Sequence, residues 1–124
     1  MEKIRSFEDL HVWQKAHQLF LDVAYDVDRF PNRKISAVIA NQLLRSASSI
    51  SANIAEGFGR HMGREYTHYL IVARGSTTET INWCINCRDL KLVSLPVFDH
   101  RRSQLEEILK MLNRMISQQL KRIS

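Results

Sequence analysis

The sequence contains few of the residues that form tight turns, with only four Gly and two Pro among 124 residues. A protein of many short strands needs turn residues at most of its connections, so this scarcity disfavours an all-β fold. No apolar run approaches the roughly 18 residues of a membrane span, and charges occupy the N-terminal stretch where a signal peptide has its apolar core. These absences favour a helical, cytoplasmic protein that does not enter a membrane.

Cysteine is also scarce, and both copies, Cys84 and Cys87, lie in the stretch WCINC. In a cytoplasmic protein two such residues are expected to be reduced thiols. Thiol oxidoreductases share this spacing, but their first Cys lies at a helix N-terminus, whereas Cys84 lies deep inside its predicted helix. A zinc site needs further ligands, and His61 and His68 lie far away along the chain. We therefore predict buried, inert thiols and no bound metal.

Motifs of catalysis and cofactor binding are missing as well. The five His residues are scattered, and no nucleophile, base and acid can be placed together. The stretch GFGRHMG, residues 57–63, resembles a dinucleotide-binding fingerprint, but its glycine spacing differs and it follows a predicted helix rather than a strand. We predict a protein that is not an enzyme, with no catalytic residues and no cofactor.

Apolar residues recur at three- and four-residue steps in four segments, which predicts helices over about 7–30, 33–57, 64–91 and 96–122. Long helices joined by short connections predict an all-α, up-down-up-down antiparallel four-helix bundle, formed as one domain by residues 1–124. Ser6 and Asp9 are spaced for a capping box at the start. Pro31 is expected to end the first helix at Phe30, and Gly57 to cap the second in a left-handed conformation.

The second predicted helix contains the small-residue stretch SASSISANIAEG, residues 46–57, which keeps the helical phase. We interpret it as a face that a neighbouring helix approaches closely, with Gly75 of the third helix as its counterpart. Between these helices we predict a structural polar network, in which a buried Glu56–Arg74 ion pair fixes the register. A ligand site built from the same groups is the alternative. The network residues are Asn53, Glu56, Arg74, Ser76 and Glu79.

Charge and surface apolarity suggest partners. Lys and Arg outnumber Asp and Glu by 18 to 13, giving a formal charge of +5 and a pI near 9.6. Such a balance favours polyanions, although a basic surface can simply confer solubility. The predicted nucleic-acid-binding residues are Arg45, Arg60, Arg64, Arg88, Lys91, Arg101 and Arg102.

Several bulky apolar residues lie off the main apolar stripes, and such residues favour a homo-oligomer because one four-helix core cannot bury them all. They are Leu19, Leu21, Tyr25, Ile71, Val72, Trp83 and Ile85.

Three ordered stretches carry a family resemblance: FEDLHVWQKA (7–16), SISANIAEGFGR (49–60) and ARGSTTE (73–79). With them the chain resembles the four-helix-bundle proteins encoded in intervening sequences of bacterial 23S rRNA genes, which are related to the accessory protein of diversity-generating retroelements. Departures are Ser51 in place of Pro, Ser46 in place of a second basic residue, and Gly63 in place of a polar cap. The matching positions are Phe7, Leu10, Trp13, Ala16, Arg45, Ser49, Ile50, Asn53, Ile54, Ala55, Glu56, Gly57, Arg60, Arg74, Gly75, Ser76 and Glu79.

The resemblance implies a ring-like assembly, most readily a homopentamer, and partners that include RNA or DNA and a nucleic-acid enzyme such as a reverse transcriptase. Two functions from different classes are therefore carried forward. The first is a non-enzymatic accessory protein that binds nucleic acid through a basic surface. The second is a protein–protein scaffold with no nucleic-acid role. Clustered cations on one surface of the assembly would favour the first, and evenly dispersed cations or an exposed apolar groove would favour the second.

Overall fold

A computed structural model describes residues 3–60 and 63–123 as four α-helices preceded by a 3₁₀ turn over Phe7–Asp9. The helices are α1 (His11–Val27), α2 (Lys34–Gly59), α3 (Gly63–Asp89) and α4 (Leu95–Ile123). Each helix packs against the next and α4 returns to α1, so the four-helix bundle expected from the sequence is confirmed. None of the described helices is long and apolar enough to cross a membrane.

The bundle has two distinct ends. The connections 28–33 and 90–94 lie together at one of them, which we call the loop end, and Arg33 Nη1 of the first connection donates to the carbonyl oxygen of Leu90 at 2.6 Å. The α2–α3 connection and both chain termini lie at the other end. Residues 61 and 62, part of the GFGRHMG stretch, lie outside the described residues.

The core follows the predicted apolar stripes, with one correction. Leu19, assigned above to the surface, is fully buried. It lies three residues after Ala16 and four before Val23, which places it on the core face of α1. The other large side chains that are fully buried come from all four helices and include Ile50, Ile54, Leu70, Leu105, Ile108 and Leu112.

The first helix begins and ends differently from the prediction. Ser6 and Asp9 do form the capping box, but it closes the 3₁₀ turn, and α1 begins only at His11. At the other end α1 stops at Val27. Phe30 then donates its N–H to the carbonyl of Val27, a tighter i→i−3 bond, because the proline that follows excludes Phe30 from α-helical geometry.

The two glycine assignments in the middle of the chain were wrong. Gly57 does not cap α2, which continues to Gly59. Gly57 is instead buried against α3, where an added Cβ would lie 2.9 Å from Tyr69 Cβ. Gly75, assigned above to the close contact, is exposed, and an added Cβ would meet nothing within 4 Å. Close packing of α2 on α3 therefore depends on Gly57.

Small side chains line the seam between α2 and α3, as the sequence predicted. The Thr80 hydroxyl donates to Ser46 Oγ at 2.9 Å, and both residues are fully buried. One turn further along, Ser49 Oγ and Ser76 Oγ are hydrogen-bonded at 2.9 Å. These short side chains satisfy one another across the seam and leave room for the two backbones to approach.

The end of α3 is closed by a residue that the sequence did not signal. Lys91 has a φ of 57°, in the left-handed region. The N–H of Leu92 donates to the carbonyl of Cys87 at 2.8 Å and that of Lys91 to Arg88 at 3.1 Å, which together form a Schellman motif. The left-handed position of this motif is usually Gly, so no sequence pattern marked the helix end here.

We predict opposite effects of adding a methyl group at the two glycines. Gly57→Ala should destabilise the protein by about 1 to 3 kcal/mol, because the new Cβ forces α2 and α3 apart. Gly75→Ala should stabilise it by about 0.5 to 1 kcal/mol, because a helical Gly loses more backbone entropy than Ala on folding. Urea unfolding of both variants measures this difference. Equal shifts in the two midpoints would contradict the close packing at Gly57.

Candidate functional sites

The predicted Glu56–Arg74 ion pair was wrong. Glu56 Oε1 accepts from Arg60 Nη2 at 3.0 Å on the exposed face of α2. Arg74 faces α4 instead, where its Nη1 donates to Asn113 Oδ1 at 3.2 Å. The tight seam between α2 and α3 is filled by short side chains, and the two charged groups lie outside it with other partners.

Of the other predicted network residues, Asn53 and Ser76 are joined through Ser49, which the sequence analysis did not include, whereas Glu79 has separate partners. Asn53 Nδ2 donates to the carbonyl and the hydroxyl of Ser49, at 2.8 and 2.9 Å, and Ser49 bonds Ser76. Glu79 binds Arg45 across the rim of the seam and accepts from Trp83 Nε1 at 3.1 Å. In the described chain no buried side-chain N or O atom lacks a hydrogen-bond partner. The hydrogen bonds of these residues therefore support helix packing.

A buried ion pair joins α1 and α4 near the loop end. Arg101 Nε and Nη2 donate to Asp26 Oδ2 and Oδ1 at 2.7 and 3.0 Å, and the two side chains are only 11% and 7% exposed. Asp22 lies 3.9 Å from the same guanidinium and accepts from Gln104 Nε2 at 2.9 Å. The sequence signal was Asp22 and Asp26 at i, i+4 beside the apolar stripe of α1, which our sequence analysis missed.

The environment of Arg101 keeps its charge in place. Burial alone would lower the pKa of its guanidinium, but the hydrogen bonds to Asp26 and the charges of both nearby carboxylates raise the pKa above its ordinary value overall. A guanidinium held in this way docks α4 on α1. It is not exposed for contact with phosphate, although the sequence placed Arg101 on the nucleic-acid surface.

Most of the other predicted basic residues are also paired with carboxylates. Arg60 binds Glu56 and lies 3.9 Å from Glu65. The remaining pairs are Arg45 with Glu79, Arg88 with Asp89 and Arg102 with Glu106.

Arg64 and Lys91 form no ion pair within residues 3–60 and 63–123, but they lie at opposite ends of α3. At 1.5 Å per residue the two ends of this 27-residue helix are roughly 40 Å apart. Within one subunit, the predicted residues therefore do not form one continuous basic surface.

Both thiols are buried, as predicted. Cys84 and Cys87 are free and only 4% and 2% exposed. Burial raises the pKa of each thiol to about 12, so neither is a ready nucleophile at neutral pH. Among the described residues no group of three or more His, Cys, Asp or Glu is arranged to hold a metal ion. His61, considered above as a zinc ligand, lies outside the part of the chain that the structure describes.

The outward face of α3 is unusual for a solvent-exposed helix. The side chains His68, Ile71, Gly75, Thr78 and Asn82, spaced three or four residues apart, are all exposed and none is acidic, Lys or Arg. Val72 beside them is exposed too. We call these residues the α3 outer face. Of the other residues predicted to be off-stripe, Leu21 and Tyr25 are exposed, whereas Trp83 and Ile85 pack partly against the core.

Comparison with known proteins agrees with the fold. The family model described as 23S rRNA-intervening sequence protein matches residues 8–114. A crystal structure of a protein of unknown function from the S23 ribosomal protein family of Bacteroides thetaiotaomicron has a TM-score of 0.79 with this chain at 23% identity. The match covers 85% of this chain and 97% of that one. No curated protein matches the sequence significantly.

We predict that losing the buried Asp26–Arg101 ion pair lowers the free energy of unfolding more than losing the exposed Glu56–Arg60 pair. Asp26→Ala should cost about 3 to 5 kcal/mol of unfolding free energy, because it removes the bidentate partner of a buried guanidinium. Glu56→Ala should leave the unfolding midpoint unchanged, because both members of its pair are exposed to water. Comparable losses in urea unfolding for the two variants would mean that the Arg101 pair is not the dominant one.

We also predict that the two buried thiols make the folded protein less stable at alkaline pH. Their folded-state pKa of about 12 lies above the ordinary value of 9.0, so between these pH values the unfolded state releases protons that the folded state keeps. The stabilisation is complete below about pH 9 and falls as the pH rises towards 12. Urea midpoints across this range measure it. The matched Cys84→Ala, Cys87→Ala variant should show a shallower decline, and identical declines would contradict the prediction.

Proposed function

Because the chain belongs to the 23S rRNA-intervening sequence protein family, we propose that it is a non-enzymatic accessory protein that binds nucleic acid as a homo-oligomer. The proposal includes a cytoplasmic location and requires no cofactor. It has two parts, self-association and nucleic-acid binding, and a different feature of the molecule supports each part.

Self-association is supported by the α3 outer face. A surface helix normally carries charged or strongly polar residues on the side away from the core. The α3 outer face instead exposes Ile71 and Val72 and has no acidic residue, Lys or Arg. At its centre, a Cβ added to Gly75 would meet nothing within 4 Å of its own subunit, so this part of the face is uncovered. A second copy covering this face would bury it in every subunit, and the family resemblance suggests that five copies close into a ring.

Nucleic-acid binding is supported by the cations that remain outside ion pairs, and this is the observation that carries the proposal. Among the described ion pairs carboxylates outnumber cations, because Arg60 and Arg101 each lie near two carboxylates. The whole chain nevertheless has more Lys and Arg than Asp and Glu. The excess positive charge therefore belongs to Lys and Arg residues that have no carboxylate partner. An oligomer repeats these groups in every subunit, and phosphates along a nucleic acid match that repetition.

The scaffold function stays as a second candidate because the predicted basic residues are dispersed. In that case the exposed apolar residues would bind a protein partner, for example a nucleic-acid enzyme such as a reverse transcriptase. The basic surface would then only keep the protein in solution. Nucleic-acid binding measurements separate the two candidates.

We predict that a charge on the α3 outer face abolishes self-association. In Gly75→Glu the added Cβ meets nothing within 4 Å of its own subunit, so helicity should be retained while the carboxylate prevents a second copy from docking. Light scattering should give a multiple of 14.5 kDa for the native chain and a single 14.5 kDa particle for the variant. Ser103→Glu, on the exposed side of α4, is the matched control and should remain oligomeric. A native chain of 14.5 kDa at micromolar concentration would contradict self-association.

We further predict salt-dependent, sequence-tolerant binding to structured RNA or duplex DNA. If about six phosphates are neutralised, the affinity should fall roughly 10³-fold or more between 50 and 200 mM salt, through counterion release. A titration series at several salt concentrations measures the slope. Absence of binding at 50 mM salt, or affinity that is indifferent to salt, would leave the scaffold as the better proposal.

A further inference from the structure

Cations without a carboxylate partner collect at the loop end. Within the described chain Arg29, Arg33, Lys34 and Lys91 form no ion pair. The bond from Arg33 to the Leu90 carbonyl brings the α1–α2 connection beside the α3–α4 connection, next to Lys91. Cations from two separate parts of the sequence thus lie on one small surface.

Two of the four carboxylates around this surface are neutralised by ion pairs. Asp26 is buried in its pair with Arg101, and Asp89 binds Arg88 at 2.8 Å. Asp28, at the C-terminal end of α1, is exposed and forms no ion pair among the described residues. Asp99, near the start of α4, is likewise exposed and forms no ion pair among the described residues. The positive potential of the loop end is therefore opposed by two nearby carboxylates, one on α1 and one on α4.

Tyr25 and Arg29 form a cation–π pair at the loop end. Tyr25 is 57% exposed, and the guanidinium carbon of Arg29 lies 3.3 Å from the centre of its ring. Arg29 is held there because Nη1 donates to the Tyr25 carbonyl at 2.8 Å. Tyr25 and Arg29 line an open groove of about 200 Å³, with residues 92–94 and Val97 on its other side.

Lys91 connects the groove to the Arg33 contact, and its backbone conformation is costly for a residue with a side chain. Its φ of 57° is a position where Gly is preferred. The residues that follow, Leu92 to Ser94, form the wall of the groove. A lysine kept at a position suited to glycine indicates a use for its charge.

From this juxtaposition we propose that the loop end is a binding site for single-stranded nucleic acid. One base stacks on the Tyr25–Arg29 pair in the groove, and the flanking phosphates contact Arg33, Lys34 and Lys91. Aromatic rings and arginine planes stack on any base, so the site is tolerant of sequence. This inference rests on the proposed nucleic-acid binding and adds its location and its preference for unpaired strands.

Fluorescence anisotropy of the full chain, with a labelled 12-nucleotide oligouridine and an RNA duplex of the same length, tests the site. Tyr25→Leu keeps the apolar bulk but removes the stacking ring. It should weaken single-strand binding about fivefold or more, with the salt dependence and duplex binding unchanged. Unlabelled uridine monophosphate should compete poorly, since it offers only one phosphate. Competition as strong as that of the oligonucleotide would overturn the assignment to a strand.

The charge contribution is tested with matched double variants. Lys34→Gln, Lys91→Gly should lower the salt slope of single-strand binding by about 1.4, as expected for two lost phosphate contacts. Lys110→Gln, Arg114→Gln makes the same change in net charge on α4 and should alter the affinity less than twofold. Lys91→Gly alone should raise the melting temperature, which separates weaker binding from unfolding.

The outcomes separate this inference from the function on which it rests. If oligouridine binds but both double variants weaken it equally, or Tyr25→Leu has no effect, the loop-end site is wrong and nucleic-acid binding stands. If neither RNA binds at 50 mM salt, nucleic-acid binding fails and the site fails with it. Asp28→Asn should strengthen single-strand binding, because it removes a carboxylate that opposes the cations of the loop end. Weaker single-strand binding by this variant would also contradict the site.

Discussion

The close approach of α2 and α3 is the constraint on which the rest of the bundle depends. It requires Gly57 against Tyr69 and short hydroxyl side chains along the seam, and these satisfy one another without water. Long charged side chains have no room between the two backbones. Arg45 and Glu79 therefore meet at the rim, and Arg74 turns to α4. The positions of these three charged side chains follow from this tight contact.

The seam between α1 and α4 is built in the opposite way. Its inner part is fixed by the buried Arg101–Asp26 pair, and Lys15 binds Glu107 at 3.0 Å further along. Lys15 and Glu107 also line an open polar groove of about 290 Å³, together with His11 and three glutamines. Because Asp26 is near the end of α1 and Arg101 near the start of α4, the ion pair also secures the loop end. Asp26, one member of this pair, also lines the groove beside Tyr25.

Sequence periodicity was sufficient to predict helices and core, because a 3.6-residue repeat determines which side of a helix is buried. Partners of charged side chains were harder to predict. Glu56 could reach Arg60 one turn away or Arg74 on another helix, and the local pair formed because its members already share a helix. Lys91 gave no signal because helix ends are recognised by glycine, and the left-handed residue here is a lysine.

The same reasoning explains why the predicted basic surface and the available cations differ. Arg60 and Arg102 each have a carboxylate four residues away, and Arg45 and Arg101 are paired across helices by packing. A cation forms no ion pair within its own helix when no carboxylate lies three or four residues away in the sequence. Arg33, Lys34 and Lys91 meet this condition. These three occupy or adjoin the connections between helices, where packing does not recruit them either. In this bundle the connections between helices are therefore one place where cations stay available to a polyanion, because neither a local carboxylate nor a packed neighbour pairs with them.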